Sequence, residues 1–218
     1  MKVTKNDNTS IIEVSGIDRV EFLNNIFTND VLKVSNKNSI YTCLLSPQGK
    51  LIADLILSDY KDSLFICSYS KFKDDLIKVL NMYKLRSKVK IEDVSNDYQY
   101  YFVEYENLQT TLNKSEIFSG NTFLSNNSLL VIDPRLAELG AHVITADNLI
   151  DGKEYEINND DINLNYFKHG IVPSSILADM KKGELLRFEY VDIMIDTEKG
   201  CLFGVEANYV DKFPKLKN

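Results

Sequence analysis

Ile40-Tyr41-Thr42-Cys43-Leu44-Leu45-Ser46-Pro47-Gln48-Gly49-Lys50-Leu51-Ile52-Ala53-Asp54 is the stretch that decides the fold. Two β-rich runs, Ile40 to Leu45 and Leu51 to Tyr60, flank a short joint. Pro47 fixes φ for a turn and Gly49 supplies a positive φ two residues later, so the chain reverses tightly and the runs pair as a hairpin. A third run, Ser63 to Tyr69, has the same composition.

Upstream, Ile11 to Val14 reads as a strand, and Ile17, Val20, Leu23 and Phe27 recur at helical spacing. Downstream, Phe72, Leu76, Val79, Leu80 and Tyr83 mark an amphipathic helix over Lys71 to Tyr83, followed by strands at Lys88 to Val94 and Gln99 to Tyr105. The stretch Glu106 to Ser128 is rich in Asn, Ser and Thr and reads as a loop region or a joint. Strands at Leu129 to Ile132 and Ala141 to Thr145 then bracket a turn at Asp133-Pro134-Arg135, with helical material expected from about Asp161. This mixture predicts an α+β fold: one domain over residues 1–218, or two intertwined α+β subdomains joined near 106–128.

A chain of 218 residues with 44% apolar side chains can bury a sizeable core. Its net charge of -7 argues against direct nucleic-acid binding as the main task, since that rests on clustered cations. Three dispersed cysteines, Cys43, Cys67 and Cys201, are not a disulfide framework and imply a reducing, cytoplasmic setting. No stretch approaches the roughly 18 apolar residues of a membrane helix. His142 and His169 lack the spacing of a zinc pair, and no phosphate loop or nucleophile triad is seen. Cys43 and Cys67 lie in apolar runs and read as core.

Four segments carry a family resemblance. Lys199-Gly200-Cys201-Leu202-Phe203-Gly204-Val205-Glu206 resembles the K-G-C-[YF]-x-G-Q-E signature of the YgfZ/GcvT-like folate-binding proteins. Gly16-Ile17-Asp18-Arg19 through Thr28-Asn29-Asp30-Val31 is similar to that family's opening, and Leu44 to Asp54 to its L-L-x-P-Q-G-K-x-x-A-D hairpin. Asp133-Pro134-Arg135-Leu136-Ala137-Glu138-Leu139-Gly140 resembles a segment of the YgfZ branch. The departures are Leu202 for an aromatic, Val205 for Gln, and Leu185-Leu186-Arg187-Phe188-Glu189 for Leu-Leu-Pro-Gln-Glu. Only twelve residues follow Glu206, too few for the family's C-terminal β-barrel, which is expected to be absent.

The resemblance implies a GcvT-like folate-binding fold of mixed and antiparallel sheets with helices packed on them. It implies tetrahydrofolate as ligand and a role in iron-sulfur cluster assembly or maintenance, alongside assembly or carrier proteins and client enzymes. The expected contacts are Asp54 and Glu189 to folate, with Asn29, Lys199, Gly200, Gly204 and Glu206 lining the site. Cys201 is the expected functional thiolate and shared cluster ligand: Lys199 and nearby helix-end amides would favour its charged form if the segment opens a helix. One cysteine cannot complete a cluster site, so a partner would supply the rest. The aminomethyltransferases of the glycine cleavage system resemble the chain but carry a carboxylate pair where this chain has Ala53 and Asp54. Aminomethyl transfer therefore ranks second, and a scaffold that has lost its ligand third.

Overall fold

The computed structural model describes residues 3–112, 117–125, 127–149, 166, 169, 171, 185–187, 191–196 and 201–206. The chain divides into two compact units, Met1–Asn159 and Asp160–Asn218.

In the first unit, β3 (Ile40–Leu45), β4 (Leu51–Tyr60) and β5 (Ser63–Tyr69) form a meander, and β2 (Thr9–Ser15) and β6 (Lys90–Asp93) extend it in the order β3-β4-β5-β2-β6. The turn is as predicted: Gly49, at φ 76°, donates to the Ser46 carbonyl at 2.8 Å. A second sheet runs β1 (Thr4–Lys5), β7 (Gln99–Val103), β10 (Ala141–Thr145), β9 (Ser128–Ile132), β8 (Thr122–Ser125). All the pairings are antiparallel.

Alternation along the strands sorts side chains into three cores. Ile12, Val14, Leu55, Leu57, Leu64 and Ile66 pack beneath Phe22 and Leu23 of α1 (Arg19–Asn24) and Leu76 and Leu80 of α2 (Lys73–Lys84). The opposite face, with Ile11, Ile56, Phe65 and Cys67, meets Tyr100, Leu129, Val131 and Ile144 of the second sheet. That sheet's outer face, with Tyr101, Val103, Ile132 and Val143, packs on Leu108 of α3 (Tyr105–Leu112). Burial on both faces explains why the strand runs are nearly continuous apolar stretches, each full side chain contributing about 1.5–3 kcal/mol. Near the hairpin the sheets are also joined by three buried hydroxyls, with Ser39 at 2.8 Å from both Ser58 and Thr122.

Three expectations are corrected. The polar stretch 106–128 carries most of α3 and β8, because packing of residues such as Leu108 overrides the weak propensity of Asn and Thr. Helix α1 is shorter than the spacing implied, and Ile17 is 81% exposed outside it. In the second unit, β11 (Leu185–Arg187), β12 (Val191–Asp196) and β13 (Cys201–Glu206) form an antiparallel meander where helix was expected. The physical reason is the period of two in Val191, Ile193 and Ile195, β-branched residues that suit a pleated strand.

Candidate functional site

The hairpin builds one half of the site. Antiparallel register sets Cys43 opposite Asp54, and strand alternation puts Tyr41 on the same face. Strand β4 pairs with β5 only from Ile56 onward; at Asp54 the Ser68 hydroxyl instead donates to the Asp54 carbonyl at 2.7 Å. Asp54 thus stands where the sheet opens. Strand β3 is an edge, and the segment after α1 covers it: Thr28 N–H donates to the Cys43 carbonyl at 3.0 Å and Asn29 N–H to Thr42 Oγ1 at 3.0 Å. The Asn29 side chain donates to the Tyr41 carbonyl at 2.9 Å and accepts from Asp30 N–H at 2.8 Å. Its nitrogen therefore holds the strand, and its oxygen holds the segment that covers it.

The Tyr41 hydroxyl donates to Asp54 Oδ2 at 3.0 Å. Burial and then the Asp54 charge push the Tyr41 phenol far above its ordinary range, so it remains a proton donor throughout the working pH range. Asp54 Oδ1 is buried and accepts no hydrogen bond among the described residues. A buried acceptor without a donor costs about 1–3 kcal/mol, a cost that an N–H or O–H group of a ligand would offset. Cys43 is half-buried, not the core residue its surroundings implied. Burial and the Asp54 charge push its thiol up despite hydrogen bonds with Tyr41 and Thr28, so it is a weak thiolate former. Cys67 is the core residue expected, its thiol raised by burial alone.

The other half comes from the turn after β9. Asp133 is fully buried; its Oδ1 accepts from Arg135 N–H at 2.9 Å and from Arg135 Nε at 3.0 Å, and its Oδ2 from Arg135 Nη2 at 2.6 Å. His142 Nε2, on β10, lies 3.0 Å from the same Oδ2; a carboxylate only accepts, so that nitrogen carries the proton. Burial pushes the Asp133 carboxyl up, but these hydrogen bonds and the Arg135 charge outweigh it and hold the group well below the usual carboxylate range. The Arg135 guanidinium in turn lies over the Tyr41 ring, 5.2 Å from its centroid. Turn closure requires Gly140: at φ 104°, a Cβ there would come within 2.3 Å of the Val103 carbonyl.

The described residues therefore bring Asp54 together with Tyr41, Cys43 and Arg135, a grouping that motif reading missed. Arg135 was visible within its motif without a role, and Tyr41 only as a strand residue. The register sets residues 41 and 43 on the face of 54 only because it shifts by one residue between Leu44 and Leu45, an irregularity that counting outward from Gly49 does not reveal. Among the other expected residues, Cys201, Gly204 and Glu206 lie in β13, opposite Asp196, Ile193 and Val191. Cys201 thus begins a strand, and the expectation of helix-end amides around it is withdrawn. Glu189, Lys199 and Gly200 lie outside the described residues. Among the described residues no three His, Cys, Asp or Glu side chains gather as a metal site. A groove of about 740 Å³ lies elsewhere, between α1 and the end of α2, lined by Asp18, Glu21, Phe22 and Leu85 among others. Among the described residues, none of the expected site residues lines it.

Residues 3–104 match the family described as the GCVT N-terminal domain. Over 231 residues the chain is 26% identical to the mitochondrial iron-sulfur cluster assembly factor IBA57 homolog of Mycosarcoma maydis, which covers 94% of this chain and 52% of that protein. A segment of 55 residues, 25% of the chain, is 34% identical to 15% of the aminomethyltransferase of Bacillus velezensis. Among solved structures, the glycine cleavage system aminomethyltransferase T from Bartonella henselae superposes with a TM-score of 0.53 at 14% identity, covering 65% of this chain and 40% of that one. At that identity the likeness is one of fold. The chain spans about half the length of the curated relatives it matches.

Proposed function

Because the chain is a GcvT-like protein, with the GCVT N-terminal domain at residues 3–104, we propose that it is a folate-binding-type factor for iron-sulfur cluster assembly or maintenance. The observation that carries the reading is the alignment with a named assembly factor along 94% of the chain, not along the folate domain alone. The cluster is cargo, shared between Cys201 and ligands of a carrier or client protein, since one thiolate leaves an iron coordination sphere incomplete.

Tetrahydrofolate fits the hairpin site in one respect that the geometry supports. Asp54 Oδ1 is a buried acceptor without a donor among the described residues, and a pterin ring presents an edge of N–H donors. In this reading Asp54 orients the ring, Tyr41 keeps the carboxylate from turning away, and Arg135 walls the site with its charge. Glu189 is a second proposed contact, and Lys199, Gly200, Gly204 and Glu206 are proposed to shape the surroundings of Cys201. Equilibrium titration with tetrahydrofolate, on wild type and Asp54→Ala, tests the ligand; binding that is equal in both removes Asp54 from the site. Complementation of a strain lacking the factor with Cys201→Ser tests the role, and full support of client cluster enzymes by a folded variant rejects it.

A second reading, tetrahydrofolate-dependent aminomethyl transfer, draws on the 55-residue similarity to an aminomethyltransferase. Ala53 is fully buried, so no second carboxylate stands beside Asp54 at that position. Formation of methylenetetrahydrofolate from an aminomethyl donor would favour this enzyme over the assembly factor.

A further inference from the structure

The Asp133-Pro134-Arg135 segment has more charge than a turn needs. An Asp that accepts its i+2 amide is enough to hold such a turn, and Asp133 does so through the Arg135 N–H at 2.9 Å. The segment also buries a carboxylate completely, a guanidinium whose side chain is only 16% exposed, and an imidazole at 6%. Well-packed apolar residues commonly replace such buried ionic groups with no loss of stability. Stability alone therefore does not account for them, and what the arrangement produces is an oriented cation. Two of the three guanidinium nitrogens of Arg135 are fixed on Asp133, at 3.0 and 2.6 Å. Asp133 is itself fixed by His142, whose ring is held against Tyr100 and Phe102 at centroid distances of 5.6 and 5.9 Å. The guanidinium so oriented lies over the Tyr41 ring, and Tyr41 donates to Asp54. These contacts run from the second sheet to the hairpin of the first.

We infer that Arg135 is a positioning residue: clamped by Asp133 and His142 on one sheet, it sets the Tyr41 ring on the other, and through the Tyr41 hydroxyl it fixes the Asp54 carboxylate for its ligand. The inference rests on the reading of Asp54 as a ligand contact. Lysine cannot replace arginine in this role, because it retains the charge but has neither the two-point fork nor the flat stacking face.

The test uses the full chain labelled with 3-fluorotyrosine, in which the Tyr41 resonance among twelve tyrosines is assigned by its loss in Tyr41→Phe. Arg135→Lys is expected to move that resonance by more than its linewidth, and Asp133→Asn to move it in the same direction. Arg135 is partly exposed, so its variant remains informative should Asp133→Asn fail to fold. Tetrahydrofolate affinity, titrated on the same samples, is expected to fall about tenfold in Arg135→Lys and in Tyr41→Phe, and about tenfold again in neither order when the two are combined, because both remove one support. An unmoved Tyr41 resonance in folded Arg135→Lys overturns the inference. So do losses that multiply in the double variant, which would mean the residues act separately. If wild type takes up no tetrahydrofolate, the folate reading falls by itself, and the fluorine shift, which needs no ligand, decides the positioning claim.

Discussion

The Asp54 cluster and the Cys201 strand are built in opposite ways. Asp54, Tyr41 and Arg135 come from positions up to 94 apart in the chain and meet only because two sheets pack face to face. The cysteine signature is confined to eight consecutive residues, 199–206, and six of them form one edge strand of a three-stranded meander. The first is a property of packing and the second of local sequence. Damage to the first should therefore be graded and coupled to stability. Damage to the second should be specific to a single atom.

The largest expected effect is on the cysteine side. Cys201→Ser should reduce support of client cluster enzymes in cells to the level of a strain without the factor, with an unchanged thermal unfolding curve, because oxygen is a poor replacement for a soft iron ligand. A parallel loss of melting temperature would mean that the cysteine serves the fold. On the hairpin side, Leu57→Ala removes a fully buried side chain beneath the helices and should cost about 2–5 kcal/mol in urea unfolding. A cost near zero there would break the claim that packing builds the site. Asp54→Ala should weaken tetrahydrofolate binding by about 10- to 100-fold, the range for losing a hydrogen bond to a charged group.

The smallest effect is one of pH. Asp133 has its folded pKa held below the unfolded value of about 3.9, so it contributes stability that is present above that value and is lost as pH falls below it. With Arg135 and His142 facing it, the difference in unfolding free energy between wild type and Asp133→Asn should shrink as the pH falls below about 4. A difference that grows on acidification would reverse the assignment of Asp133 as a stabilising anion.

Much of this was legible in the chain itself. The hairpin from Ile40 to Tyr60 follows from two β-rich runs and the Pro47/Gly49 turn, and α2 from the spacing of Leu76 and Leu80, since both are decided within a few residues. The polar surroundings of α3 concealed it, because its stability comes from contacts such as Leu108 against the second sheet. The same limit applied to the site. Motif reading found Asp54 and treated it alone, and it left Arg135 and His142 without a task. Register carried Tyr41 and Cys43 to the face of Asp54, and sheet packing brought Arg135 to Tyr41 across a sequence separation that no local period encodes.

By itself the sequence determined the strand-turn-strand grammar, the amphipathic faces and the position of a distinctive cysteine, because each depends on neighbours a few bonds away. Only the tertiary structure decided that an acid on one sheet is held by a tyrosine beneath an arginine from another, with one carboxylate oxygen left without a donor among the described residues. Burial and close approach belong to the packed chain, and they turn an ordinary strand aspartate into a candidate ligand contact.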